Sequence, residues 1–261
     1  MKIIRSVLQQ LHWIGSAQFG MDPIKAFRSL RGLPRYVRDL VRFRANYSGR
    51  LELKPCLFDW YEEGGTTKSE YFWQDLLVAR MIFAANPKKH VDIGSRVDGF
   101  VAHVASFREI EVLDIRPIKA KIPGVVFKQA DLMNPSTDLS DYCDSISCLH
   151  ALEHFGLGRY GDRLDTKGFE SGIRNMASIV KSGGSFYLAV PVGIERVEFN
   201  ANWVFRPHTI VDLAEKNQLQ LSGLTLFTAK DGPVDVKATH EALSAIANMH
   251  YGLGIFTFTK K

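Results

Sequence analysis

The run Glu153-His154-Phe155-Gly156-Leu157-Gly158-Arg159-Tyr160-Gly161-Asp162 packs several side chains able to do acid–base chemistry into ten positions of this 261-residue chain. It sets two carboxylates, an imidazole, a guanidinium and a phenol among three glycines, a composition suited to a loop that folds closely round a ligand. An imidazole titrates near neutrality, so His154 is the first choice as general base, with His150 and Asp162 next. Arg159 is suited to hold a phosphate or carboxylate of an acceptor by paired hydrogen bonds, and Tyr160 to stack on a sugar or cofactor face. A lone His or Tyr is more often structural, so these roles depend on what lies beside the loop.

A second constellation is His90-Val91-Asp92-Ile93-Gly94-Ser95. A strand that ends in Asp-x-Gly and turns straight into a helix offers free backbone N–H groups at the helix start. Gly94 permits the tight turn and a close ligand approach. An acid at that strand end, Asp92, suits the ammonium of an amino-acid-bearing nucleotide better than a pyrophosphate. Twenty positions after Gly94, Asp114 closes IEVLDI, where a carboxylate can bind two ribose hydroxyls. Asp131, after the next strand, falls near where an adenine would lie.

These residues need a scaffold, and the pattern from residue 70 onward supplies one. Helical and strand signals alternate, which implies a parallel sheet with helices on both faces. SEYFWQDLLVARMIFAANP reads as a helix ending near Pro87, KHVDIG as a strand, 97–107 as a helix, and IEVLDI, VVFKQADL and CDSISCLHAL as three further strands. A helix over 167–180 leads through the turn Lys181-Ser182-Gly183-Gly184 into the strand SFYLAVPVG. A helix near 207–217, the strand LQLSGLTLFTAK, the helical VKATHEALSAIANMH and the strand GLGIFTFTKK complete the chain. In PVGIERVEFNANWVFRPHTI, the residues Glu195, Arg196, Glu198, Asn200 and His208 are either acceptor-pocket candidates or parts of a solvated loop.

The order VDIGS, VLDI, QADL, DSISCLHALEH and VKSGGSFYLAVPVG resembles the sequential motifs of the class I S-adenosylmethionine-dependent methyltransferases, over roughly residues 88–195. Within that superfamily, EHFGLGRYGD, PVG and the EFN stretch resemble an uncharacterised bacterial group linked to surface-polysaccharide biosynthesis. The resemblance implies a Rossmann-like, seven-stranded, mostly parallel sheet with an antiparallel last strand. It implies S-adenosyl-L-methionine as cofactor, held by Asp92, Gly94, Ser95, Asp114, Ile115, Asp131, Leu132 and Leu149. The reaction it implies is O-methylation of a saccharide, sugar nucleotide or lipid-linked glycan. One position departs from the family pattern: the usual second glycine of the first motif is Arg96, and the next glycine is Gly99. That departure leaves a second reading, a non-catalytic glycan-assembly or scaffold protein on the same fold. A nicotinamide enzyme is disfavoured by the acidic first turn and the lack of GxGxxG.

Charge divides the chain. Residues 1–50 carry ten Lys or Arg against two Asp, a balance of +8, while the remaining 211 carry 23 basic and 26 acidic side chains, a balance of −3. The expected division is a basic helical extension over 1–69 and a methyltransferase-like domain over 70–261. Ile3, Ile4, Val7, Leu8, Leu11 and Ile14 predict one helical piece, and Asp22-Pro23 starts a second. A basic amphipathic helix can cap a core, contact an anionic membrane or glycan, or meet nucleic acid; no nucleic-acid motif accompanies it. No transmembrane run is present, the start makes a poor secretory signal, and Cys56, Cys143 and Cys148 lack disulfide or zinc spacing. The chain is therefore expected in the cytoplasm with reduced thiols, with peripheral contact at the inner membrane as an alternative. Its acids have no metal spacing, so no structural metal is expected.

Overall fold

The computed structural model describes residues 15–16, 19–62, 64–134 and 139–261. The chain divides into two compact units, 1–66 and 67–261.

In the first unit, helix α1 spans Pro23–Asn46, and the Asp22 side chain caps it by accepting from the N–H groups of Ile24 and Lys25. The returning chain packs on one face. Gly32 lies against the Leu57 backbone, where a Cβ would collide with the Leu57 carbonyl. Arg35 stacks over Trp60, its guanidinium carbon 3.1 Å from the ring centroid. The helix expected over 3–14 lies outside the described residues.

The second unit is an eight-stranded sheet with helices on both faces. The strands are β1 (His90–Ile93), β2 (Ile110–Asp114), β3 (Val125–Gln129), β4 (Cys143–Leu149), β5 (Val180–Val192), β8 (Leu219–Thr228), β9 (Gly232–Asp235) and β10 (Gly252–Lys260). Their order is β3-β2-β1-β4-β5-β10-β8-β9. The pairs from β3 through β5 are parallel, and β10 runs antiparallel to both β5 and β8. The expected seven strands and antiparallel last strand are present, and β9 adds a short hairpin to β8. A separate hairpin, β6 (Arg196–Glu198) with β7 (Asn202–Val204), occupies the stretch expected to be either an acceptor-pocket lining or a solvated loop.

Helices α2 (Glu70–Ala85) and α3 (Ala102–Ala105) belong to one face, where Val78, Ile82, Phe100 and Val104 pack on Ile110, Val112 and Tyr187. On the other, α4 (Gly168–Ile179), α5 (Pro207–Lys216) and α6 (His240–Ala247) bring Ile173, Met176, Ile210 and Leu243 onto Ile146, Phe186 and Leu188. Alternate residues of β5 thus serve opposite cores, as the pleat requires. The helix expected over 97–107 is shorter and starts differently. Val97–Val101 form a wide turn in which the Val101 N–H reaches back five residues to the Arg96 carbonyl, at 3.3 Å. The glycine turn before the fifth strand persists as an irregularity within β5, with Gly183 at φ +78°.

Candidate functional site

A cleft of about 340 Å³ opens at the carboxyl ends of β1, β2 and β4, within the ~300–1,000 Å³ usual for small-ligand sites. Its first wall is the β1 turn. Gly94 takes φ +67°, donates its N–H to the Leu113 carbonyl at 2.9 Å, and leaves only 3.1 Å between an added Cβ and that of Ala151. A side chain there would strain the backbone and press on the loop that follows β4.

Asp92 lies under this turn and does not line the cleft. It is fully buried, with Oδ1 accepting from the Ser95 and Ser147 hydroxyls at 2.6 Å each and Oδ2 from the Ser95 N–H at 3.0 Å. Burial nonetheless pushes its carboxyl up to about 6. The expected direct pairing of Asp92 with a ligand ammonium is therefore corrected. Its oxygens are already engaged, and its work is to fix the turn. Ser95 and Leu149, also expected at the cofactor, are buried with it: the Ser95 Oγ accepts the Leu149 N–H at 3.2 Å and ties β1 to β4.

Strand register explains the small polar residues of β4. Ser145 stands opposite His90 and Ser147 opposite Asp92. His90 Nδ1 is 2.8 Å from the Ser145 Oγ and Nε2 is 3.1 Å from the Ser147 Oγ. With the Ser147 hydroxyl donating to Asp92, His90 Nε2 must carry the hydrogen. Burial holds this imidazole neutral, down to about 3.

Asp114, Ile115, Asp131 and Leu132 all line the cleft. The Asp114 carboxylate accepts from the Arg116 N–H at 2.8 Å, Nε at 3.1 Å and Nη2 at 2.7 Å. Arg116 in turn lies 4.2 Å from the Tyr160 ring centroid. Asp131 Oδ1 accepts the Met133 N–H at 2.9 Å.

The 150–162 segment forms the opposite wall, and His150, His154, Arg159, Tyr160 and Asp162 all reach it. Their environments separate them. His150 sits at φ +51°, a strained conformation for a side-chain-bearing residue. Its Nδ1 is 2.7 Å from Glu153 Oε1 and its ring centroid lies 4.5 Å from that of Tyr71, tilted by 33°. Burial opposes its charge, but Glu153, Glu70 and Asp75 outweigh that and raise its pKa above the ordinary imidazole value. Its Nδ1 is thus committed to Glu153, which leaves His154 the less engaged of the two imidazoles. His154 moves the other way: burial, aided by Arg159, lowers its pKa against the pull of Glu153. Its Nδ1 lies 2.7 Å from the Ala201 carbonyl, so Nδ1 donates and Nε2 keeps the lone pair, 3.9 Å from Glu153 Oε1.

Asp162 is engaged within its own loop. Its oxygens accept the N–H groups of Gly156, Gly158 and Tyr160 at 2.9–3.1 Å, so it organises the loop. Arg159 donates to the Ala201 carbonyl at 2.9 Å, fastening this loop to the β6–β7 hairpin.

Three substrate candidates are not brought to the cleft. Glu195 accepts from the Thr209 hydroxyl at 3.0 Å, Asn200 sits at φ +62° in the hairpin turn, and His208 opens α5 with its ring 5.2 Å from that of His240. The hairpin turn takes Asn200, while Glu195 and His208 are held at the start of α5. Conversely, Tyr71, Arg96, Arg116 and Met133 line the cleft without having been singled out as ligand-binding residues. Among the described residues, no cluster of three or more His, Cys, Asp or Glu is arranged to hold a metal.

Strand order 3-2-1-4-5 followed by an antiparallel last strand, with a cleft at the tips of β1, β2 and β4, decides the architecture. The fold is that of the class I methyltransferases. The YcgJ protein from Bacillus subtilis is 12% identical, with 72% of this chain and 98% of that one aligned at a TM-score of 0.52. A structure from Galdieria sulphuraria assigned as a sarcosine dimethylglycine methyltransferase is also 12% identical, with 72% and 86% aligned at 0.51. At these identities the likeness is one of fold. A family model described as a Caenorhabditis protein of unknown function, DUF268, matches residues 103–214, under half of the chain. No curated protein matches.

Proposed function

We propose that the chain is an S-adenosylmethionine-dependent methyltransferase that methylates a hydroxyl of a saccharide, sugar nucleotide or lipid-linked glycan. The carrying observation is His154: a neutral imidazole with its lone-pair nitrogen uncommitted, on the wall of a nucleotide-type cleft. The residues present fit an adenosine-bearing amino acid. Gly94 clears a close approach, Asp114 offers a carboxylate at the ribose position, and His150 Nε2 is a buried polar atom without a hydrogen-bond partner in the described residues, with the Glu70 carboxylate 3.4 Å away. When bound, the cofactor supplies an electrophilic methyl on sulfur, and its transfer to oxygen leaves a thioether and one proton to be removed. His154 Nε2 takes that proton, and the Ala201 carbonyl stabilises the resulting imidazolium at Nδ1. Glu153, buried and ion-paired with His150, adds negative charge beside both rings.

Calorimetry with S-adenosylhomocysteine, then methyl transfer to a panel of saccharide acceptors, tests the reading. His154→Gln should bind S-adenosylhomocysteine within about threefold of wild type and lose roughly 10²–10⁴-fold in transfer. Its acid limb should fall below the ordinary imidazole pKa, because protonating a depressed His154 is what abolishes the base. Absence of binding, or wild-type transfer by His154→Gln, contradicts it. The engagement of Asp114 by Arg116 favours the second reading, a non-catalytic glycan-assembly protein, and methylated product would eliminate that reading.

For the first unit, we propose contact with an anionic membrane surface. Phe27, Leu30, Leu33, Val37 and Val41 recur every three or four residues along α1 and are 44–70% exposed, with Arg31, Arg35, Arg38 and Arg42 alongside. Phe27→Asp with Leu30→Asp should reduce cosedimentation with phosphatidylserine vesicles several-fold; unchanged binding contradicts the contact. No helix among the described residues is long and apolar enough to cross a membrane.

A further inference from the structure

Arg96 stands at the head of the wide turn Val97–Val101 and lines the cleft beside Gly94. The demand for a glycine has moved along the turn. At Gly99 a Cβ would collide with the Asp75 carboxylate on α2, so the close approach made there is to the protein's own helix. Position 96 is thereby left free to carry a long side chain. Its guanidinium, 5.2 Å from the Tyr71 ring centroid, makes a fork onto Asp98, with Nε to Oδ1 at 3.0 Å and Nη2 to Oδ2 at 2.7 Å. Both partners face water, the side chains being 57% and 72% exposed. An ion pair so exposed contributes little and exchanges readily. The other two cleft-lining arginines are more firmly committed: Arg116 to the buried Asp114, Arg159 to the Ala201 carbonyl. Meanwhile the acid of this turn, Asp92, is sealed beneath it.

We propose that Arg96 receives the carboxylate of the ligand's amino-acid portion, exchanging Asp98 for it with the same two-pronged geometry. A guanidinium fork matches a carboxylate bidentately, which a glycine could not do and a lysine does only as a point charge. This rests on the adenosyl amino acid reading of the cleft, and it turns the departure from the family's first motif into a recognition element.

Calorimetry of the full chain with two probes separates the two claims: S-adenosylhomocysteine carries the amino-acid portion, and 5′-methylthioadenosine lacks it. Arg96→Ala should weaken S-adenosylhomocysteine about 10- to 50-fold, the usual range for losing a charged hydrogen-bonded contact, and leave methylthioadenosine within about twofold. Arg96→Lys should fall between, and Asp98→Asn, which releases the guanidinium, should tighten S-adenosylhomocysteine alone. Retained methylthioadenosine binding and thermal midpoint certify folding. Equal weakening of both probes by Arg96→Ala, or of neither, overturns the proposal. A wild type that binds methylthioadenosine but not S-adenosylhomocysteine sinks it while sparing the nucleoside site; a wild type that binds neither sinks the cleft reading as a whole.

Discussion

Beneath the cleft, His90, Ser147, Asp92 and Ser95 form a hydrogen-bonded chain sealed from water, whereas along its rim Arg96–Asp98 and Asp114–Arg116 are ion pairs between neighbours in sequence, each with a partner open to solvent. The contrast teaches which polar residues hold shape and which wait for a ligand. Asp92 cannot be released without stranding Ser95 and Ser147, which are as sealed as it is, whereas the guanidinium that holds Asp114 lies open to water. A rim pair two residues apart can part, because water or a ligand replaces each partner. The floor should therefore report on folding and the rim on binding.

The largest expected effect is on the floor. His90 is held neutral at about 3 when folded and titrates near 6.5 when unfolded, so its contribution is complete above pH 6.5 and is lost as pH falls. At about 1.4 kcal/mol per unit, wild type should lose about 3 kcal/mol between pH 6.5 and 4 relative to His90→Gln, measured by urea unfolding. Asp92 acts oppositely. Its raised pKa means protonation near 6 adds stability as pH falls, but it is present in both proteins and largely cancels in the difference. A parallel pH dependence in the two proteins would show that the chain is not sealed. Next, Asp92→Ala should cost about 2–3 kcal/mol of stability by stranding Ser95 and Ser147.

On the rim, Asp114→Ala should leave stability nearly unchanged and weaken S-adenosylhomocysteine by about 1–3 kcal/mol in calorimetry. Arg116→Ala is the smallest: within about 1 kcal/mol in stability, with binding unchanged or tighter because the carboxylate is vacated. If Arg116→Ala instead destabilises as much as Asp92→Ala does, the division between floor and rim fails.

Much of this was legible in the sequence where one element carries the signal. The alternation after residue 70, the β1 turn at Gly94 and the placing of Asp114 and Asp131 follow from period and punctuation. The Asp22 cap was visible for the same reason. What escaped needs a partner from elsewhere. Ser145 and Ser147 read only as interruptions of an apolar strand, because their purpose depends on His90 and Asp92 some 55 residues away across the sheet. Tyr71 enters the cleft from a helix that precedes every nucleotide-fold strand, and no local pattern marks it. The strands of the β6–β7 hairpin are three residues each and β9 is four, too short for a period to emerge. Asp162 has the residue type of a base, but its oxygens are taken up by three amides of its own loop. Spacing cannot reveal that occupancy.

The central claim is that this cleft seats an adenosyl amino acid by trading rim ion pairs for ligand contacts over an unmoved floor. A crystal structure with S-adenosylhomocysteine bound tests it most directly. The expected result is Asp114 hydrogen-bonded to both ribose hydroxyls with Arg116 swung away, and Asp92 still held by Ser95 and Ser147. A nucleoside seated elsewhere while Arg116 keeps its fork on Asp114 would contradict the account.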